Sequence, residues 1–183
     1  MEETKEMQVI KEPAGQKEKK SILMSLFLFL LKMILVIGAL CALFTYILGW
    51  TRANDNNMFP MIKDGDFCLY YRLDESFIGD AVVYKDSDGR ERTGRIIAVG
   101  GQEIDFTGDG GYMINGVTPG EMLPYETWPS EKSDVRYPLI LEEGEYFILN
   151  DYREDNADSR KAGAIKKEDI KGKIIFIFRR RSI

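Results

Sequence analysis

The chain has 183 residues, enough for one modest domain with appendages. Its net charge of −5 offers no basic surface to replace phosphate counterions, so nucleic acid is not expected as a partner. It has no histidine, which excludes Ser-His, Cys-His and His-metal chemistry; a hydrolase on this chain would need Ser-Lys, threonine or carboxylates alone. No metal and no cofactor are expected.

Residues 1–20 are polar and end in Gln16-Lys17-Glu18-Lys19-Lys20, which reads as a cytoplasmic tail. Residues 21–50 are almost wholly apolar, with Lys32 the one charge. A bilayer core of ~30 Å takes about 20 apolar helical residues, so this stretch predicts a transmembrane signal-anchor. A span over 31–50 lets Lys32 reach the inner interface and sets Tyr46 and Trp50 at the outer one; a span over 22–44 is the other register. Lysines 11, 17, 19, 20 and 32 precede the span, and Arg52 follows it. The positive-inside rule then predicts a single-pass protein of the cell membrane, with its N-terminus cytoplasmic and residues 51–183 extracytoplasmic. A cleaved secretory signal is disfavoured, because the apolar run is too long and no Ala-x-Ala site follows it. Cys41 falls in the span and Cys68 beyond it, so no internal disulfide is expected.

Residues 51–183 carry 19 Lys and Arg against 25 Asp and Glu, a net of −6. Short β-type runs recur between turn signals: 67–71, 80–85, 92–99, 112–114, 145–149 and 173–178. Asn115-Gly116 is a hairpin signal. Val117 to Tyr137, with three prolines, reads as a loop-rich insertion, and 166–170 as one helical turn. This spacing predicts a mainly β, antiparallel, barrel-like domain behind one N-terminal transmembrane helix.

Several blocks in this order resemble the type I signal peptidases of bacteria. That family carries Ser-Met-x-Pro and then Gly-Asp; here Met58, Pro60, Gly65 and Asp66 match, and Gly79-Asp80 matches a second Gly-Asp. Its Lys-Arg-hydrophobic-hydrophobic block resembles Gly94-Arg95-Ile96-Ile97, which runs to the Gly100-Gly101 turn, and its Ile-Asn-Gly hairpin resembles 114–116. Its Gly-Asp-Asn-x-x-x-Ser-x-Asp-Ser-Arg block resembles 150–160, with Asp151, Asp158, Ser159 and Arg160 in place.

The resemblance implies a signal-peptidase-like domain whose serine nucleophile is replaced by Asn57, whose lysine base is replaced by Gly94, and whose supporting serine is replaced by Asn156. An amide is not a nucleophile, glycine has no side chain, and the Arg95 guanidinium does not deprotonate. The resemblance leaves Met58, Pro60, Arg95, Asp158 and Arg160 as cleft and scaffold residues, with Asp158–Arg160 a partly buried brace. Strand alternation turns Thr93 away from Gly94. Ser159, in the turn of the last block, has no base near it in sequence; Lys85, one strand earlier, is the alternative base.

Signal peptidases hold substrate as an added strand, a mode that relies on backbone hydrogen bonds and outlasts loss of catalysis. Gly94 is expected to open room in that cleft. The chain is similar to the signal-peptidase-like proteins of Gram-positive pilus assembly that lack the Ser-Lys pair. That implies an inactive, membrane-anchored accessory or chaperone binding pilin or sortase. The alternatives are an active serine endopeptidase with a displaced nucleophile and an anchored β domain with no retained cleft function.

Overall fold

A computed structural model describes residues 14–120 and 125–179, with side chains described from Ser21 onward. The chain divides into two units, one running to Leu43 and one from Phe44. The first holds helix α1, Ala14–Ala42. Ile22, Leu26, Phe29, Ile34 and Ile37 are all exposed on it. A helix apolar all round and exposed along its described length suits a lipid environment better than a protein core. The apolar stretch Ser21–Ile47 spans 27 residues, none of it buried in the protein. At ~1.5 Å per residue it reaches roughly 40 Å, long enough to cross a bilayer core. By length and composition this segment is a membrane anchor or a signal sequence.

A π-helical turn, Leu43–Ile47, is followed by strand β1, Leu48–Arg52. The helical run therefore stops three residues before the expected boundary at Trp50. Gly49 is one reason: a Cβ there would stand 2.2 Å from the Tyr70 ring, so the bare backbone lets β1 lie on β2. β2 (Phe67–Tyr71), β3 (Ala81–Lys85), β4 (Glu91–Val99), β5 (Glu103–Phe106), β6 (Tyr112–Ile114), β7 (Leu139–Ile140) and β8 (Glu145–Leu149) follow. A four-residue helix α2 (Ser159–Ala162), β9 (Ile165–Lys166), a 3-10 turn at Lys167–Asp169 and β10 (Ile170–Phe178) complete the order.

The strands form a curled seven-stranded sheet, β1-β2-β10-β3-β4-β8-β9, and a small sheet, β6-β5-β7, all paired antiparallel. The mainly β, antiparallel expectation agrees with this. The last strand, β10, threads between β2 and β3, so the end of the domain completes its centre. Irregularities in β10 at Ile170/Gly172 and Ile174/Phe176, and in β4 at Ile96/Ala98, bend the sheet. The β4 bulge also redirects side chains. Ile96 packs with Val82, Tyr84 and Ile148, while Ile97 and Ala98 pack with Leu141 and Phe147. A third apolar cluster joins Met58, Ile62, Cys68, Tyr70 and Val83.

Asn115 and Gly116 adopt positive φ, 51° and 75°, and close a tight turn between Ile114 and Val117. The parts of the 117–137 insertion that are described hold no strand or helix. Both cysteines are free, Cys41 exposed and Cys68 buried. Trp50, Phe67, Phe176 and Phe178 are exposed on neighbouring strands β1, β2 and β10.

Candidate functional site

The loop between β1 and β2 is pinned at its base, where Ala53 N donates to Asp66 O and Gly65 N to Ala53 O, 2.9 and 2.8 Å. Met58 and Ile62 anchor it in the apolar core. Asn57 is buried between these anchors, 2% exposed. Its Nδ2 donates to Asp55 Oδ2 at 2.9 Å, and its carbonyl accepts from Tyr152 N at 2.9 Å. The residue in the nucleophile's expected place thus holds its loop against the segment after β8. Phe59 and Pro60 are exposed beside it.

Gly94 lies on β4 opposite Val82 of β3. A Cβ built there would stand 2.4 Å from Ile148 Cγ2 and 3.1 Å from Tyr84 Cε1. The expectation that Gly94 opens room is therefore corrected: Ile148 and Tyr84 have closed over it, because a core left without a side chain fills with its neighbours. Thr93, buried, falls on the other side of the strand by alternation. Lys85 is exposed at the far end of β3, one residue past Tyr84 and so turned away from it. Asn156 is exposed on a groove of about 450 Å³ walled by Tyr125, Trp128 and Pro129.

Two arginines brace this region. Arg95 forks onto Asp151, Nε to Oδ1 at 2.8 Å and Nη2 to Oδ2 at 2.6 Å, and its Nη1 donates to Gly79 O at 2.7 Å. It ties β4 to the turn after β8 and to the turn before β3. Arg160 forks onto Asp158 at 2.9 and 2.8 Å and also donates to the Arg153 and Asp155 carbonyls. Asp158 accepts further from Asn150 N and Arg160 N. Both side chains are at most 2% exposed, so this pair is fully buried rather than partly. Every group in it has a partner, which is the condition for burying a charge pair. Ser159 is also structural, its Oγ accepting from Ile148 N at 2.9 Å.

The face that carries Gly94 also carries Arg92, two residues earlier on β4. Arg92 Nε donates to Asp86 Oδ2 at 2.6 Å, and its Nη1 lies 3.9 Å from Asp55 Oδ2. Burial alone would raise Asp86, but the bonds from Arg92 and from the Arg90 and Asp88 amides outweigh it and hold the carboxyl below its ordinary value. Asp55 is held above its ordinary value by burial, which its bond from the Asn57 amide and the nearby Arg92 offset only in part. Across the same gap, Thr51 Oγ1 donates to Glu91 Oε2 at 3.1 Å. These links set β1 and the start of β4 opposite one another. Neither the outer edge of β1 nor residues 91–94 on the β8 side of β4 pair with a further strand among the described residues.

Asp55, Asp86 and Tyr84 were not singled out in the sequence. Arg92 was legible in principle, since alternation from Gly94 places it on the same face. Tyr84 was not, because only the β3–β4 register, Tyr84 opposite Arg92, brings it over Gly94.

Fold and site together describe a mainly β domain, behind one apolar helix, with loops braced by arginine–aspartate forks. Residues 26–179 match the family model described as signal peptidase, peptidase S26, and the chain belongs to that family. It is 26% identical to signal peptidase IB of Staphylococcus aureus, strains N315 and MW2, over 142 residues, covering 67% of this chain and 73% of the relative. A crystal structure of a signal peptidase I from Enterococcus faecalis V583 is 23% identical with a TM-score of 0.49, covering 56% of this chain and 99% of that one.

Proposed function

We propose that this chain is a non-catalytic member of the signal peptidase family, an accessory or chaperone of pilus assembly that binds an extended segment of pilin or sortase without cutting it. The observation that carries the reading is at Gly94. Where the resemblance calls for a lysine base, Ile148 and Tyr84 fill the space a side chain would need. Asn57 in the nucleophile's expected place is buried and committed to Asp55. The free edges of β1 and of residues 91–94 support strand addition as the binding mode. The pilus context rests on similarity to signal-peptidase-like proteins that lack the Ser-Lys pair. In this reading α1 anchors the chain with its β domain outside the cell, as the lysines before the span imply.

The relatives named signal peptidase IB favour a second reading, an active peptidase with a displaced nucleophile. Full-length protein in detergent, incubated with a signal-bearing preprotein, separates the two. The expected result is an intact preprotein. Cleavage that maps to one serine or threonine of this chain overturns the reading. Deletion of the gene is expected to shorten or abolish pilus polymers; unchanged polymer length and amount would remove the pilus role.

A further inference from the structure

Beside the closed-over Gly94 lies a cavity of about 100 Å³ lined by Tyr84, Asp86, Arg92, Asp158 and Lys161, among others. We infer that this cavity is a binding site for a single carboxylate, held by the Tyr84 hydroxyl and the Lys161 ammonium.

Donors and acceptors in the wall are unequally satisfied. The two more buried acids of the wall, Asp158 and Asp86, are well engaged. Asp158 accepts from Arg160 and from two backbone amides. Asp86 accepts from Arg92 and from the Arg90 and Asp88 amides. Asp88 is engaged by Arg90. Arg92 is committed to Asp86 and lies close to Asp55.

The unsatisfied groups are donors. The Tyr84 side chain is 1% exposed, and its hydroxyl has no hydrogen-bond partner among the described residues. A buried hydroxyl without a partner costs roughly 1–3 kcal/mol, so such a group points to something that completes it. The charges this hydroxyl feels most, Asp158, Arg92 and Asp86, are themselves in the cavity wall. Lys161, on α2 at the rim, forms no ion pair among the described residues. A buried hydroxyl without a partner and an ammonium without an ion pair, both among the residues that line one cavity, call for an incoming acceptor. A carboxylate accepts from both and brings the negative charge that Lys161 lacks; an amide accepts from the hydroxyl but brings no charge to the ammonium.

The cavity shares Arg92 with the β4 edge proposed to take a strand, but the carboxylate site does not depend on that reading. The test uses the full chain in detergent micelles with ¹³C-labelled tyrosine, titrated with N-acetylglutamate methylamide and, separately, N-acetylglutamine methylamide. The expected result is a saturable shift of the Tyr84 ring resonance, and of the Ala157 and Ala162 amides, with the glutamate probe alone. Tyr84→Phe keeps the ring packing and is expected to weaken binding, read at the alanine amides, about tenfold, as for a lost bond to a charged group. Lys161→Gln is expected to weaken it about threefold, since that ammonium is exposed. Melting curves of both variants check that the fold is intact. Equal binding of the glutamine probe overturns the proposal. So does unchanged affinity in Tyr84→Phe, or no saturable shift up to the solubility of the probe, the last meaning that water alone satisfies the hydroxyl.

Discussion

Substituting Gly94 by alanine is the sharpest probe of how the core around the expected base position is packed. The new Cβ would stand 2.4 Å from Ile148 Cγ2, a separation real Cβ atoms do not show. Ile148 is fully buried on β8, and its Cγ2 sits directly on a branched Cβ, so it cannot swing aside without moving the strand. Tyr84 Cε1, at 3.1 Å, blocks the other direction. Overpacking of this kind costs about 1–3 kcal/mol. Gly→Ala also removes freedom from the unfolded chain, worth about 0.4–1 kcal/mol in the opposite sense. The net expectation is a loss of roughly 1–2 kcal/mol. For a domain of this size that is a fall of about 3–7 °C in melting temperature. Trp50 and Trp128 both lie in the β domain and report its unfolding by fluorescence without interference from the helix.

The decisive arm is a double-mutant cycle with Ile148→Ala, which deletes Cγ2. That substitution alone costs about 2–5 kcal/mol. In its background, Gly94→Ala is expected to be neutral or stabilising, because the added methyl enters space that Ile148 has vacated. A coupling of about 1 kcal/mol or more follows. An equal effect of Gly94→Ala in both backgrounds, or stabilisation of the parent chain, would refute the account of a closed-over site. The same geometry predicts that Gly94→Lys with Asn57→Ser gives no peptidase: the amine would have no cavity to enter, and Asp55 would lose the bond it accepts from Asn57 Nδ2.

Two further outcomes are expected. Arg160→Met strands the Asp158 carboxylate and the Arg153 and Asp155 carbonyls in a buried site, so stability measured by urea unfolding falls about 3–5 kcal/mol; a loss under 1 kcal/mol contradicts a buried brace. Burial pushes the Cys68 thiol up to about 11, with Asp66 adding to it, so at pH 8 the native protein exposes almost no Cys68 thiolate. Mass spectrometry after iodoacetamide treatment should find Cys68 unmodified in the folded chain and modified in denaturant; rapid labelling of Cys68 in the native protein would show that its surroundings are open.

Local pattern was enough for much of the fold. The apolar run, the short β-type runs at 67–71 and 145–149, and the Asn115-Gly116 turn each carry their own signal: lipid-length hydrophobicity, apolar and aromatic residues bounded by turn residues, positive φ. Strands lacking such a signal went unseen. β1 is hidden inside the apolar run, because lipid and strand burial ask for the same residues. β5 carries Glu103 and Asp105, and β7 and β9 are two residues long, too short for a period.

The candidate site divides in the same way. Motif spacing located Asn57, Gly94, Asp158 and Arg160, since the turn that joins Asp158 to Arg160 is local. Tertiary structure alone decided what surrounds them. Ile148 and Tyr84 reach Gly94 from two flanking strands, Arg95 finds Asp151 from 56 residues away, and the carbonyls that satisfy Arg160 depend on where the loop after β8 folds back. Sequence states which side chain a position lacks. Whether the vacancy stays open is a matter of packing, and at Gly94 packing has closed it.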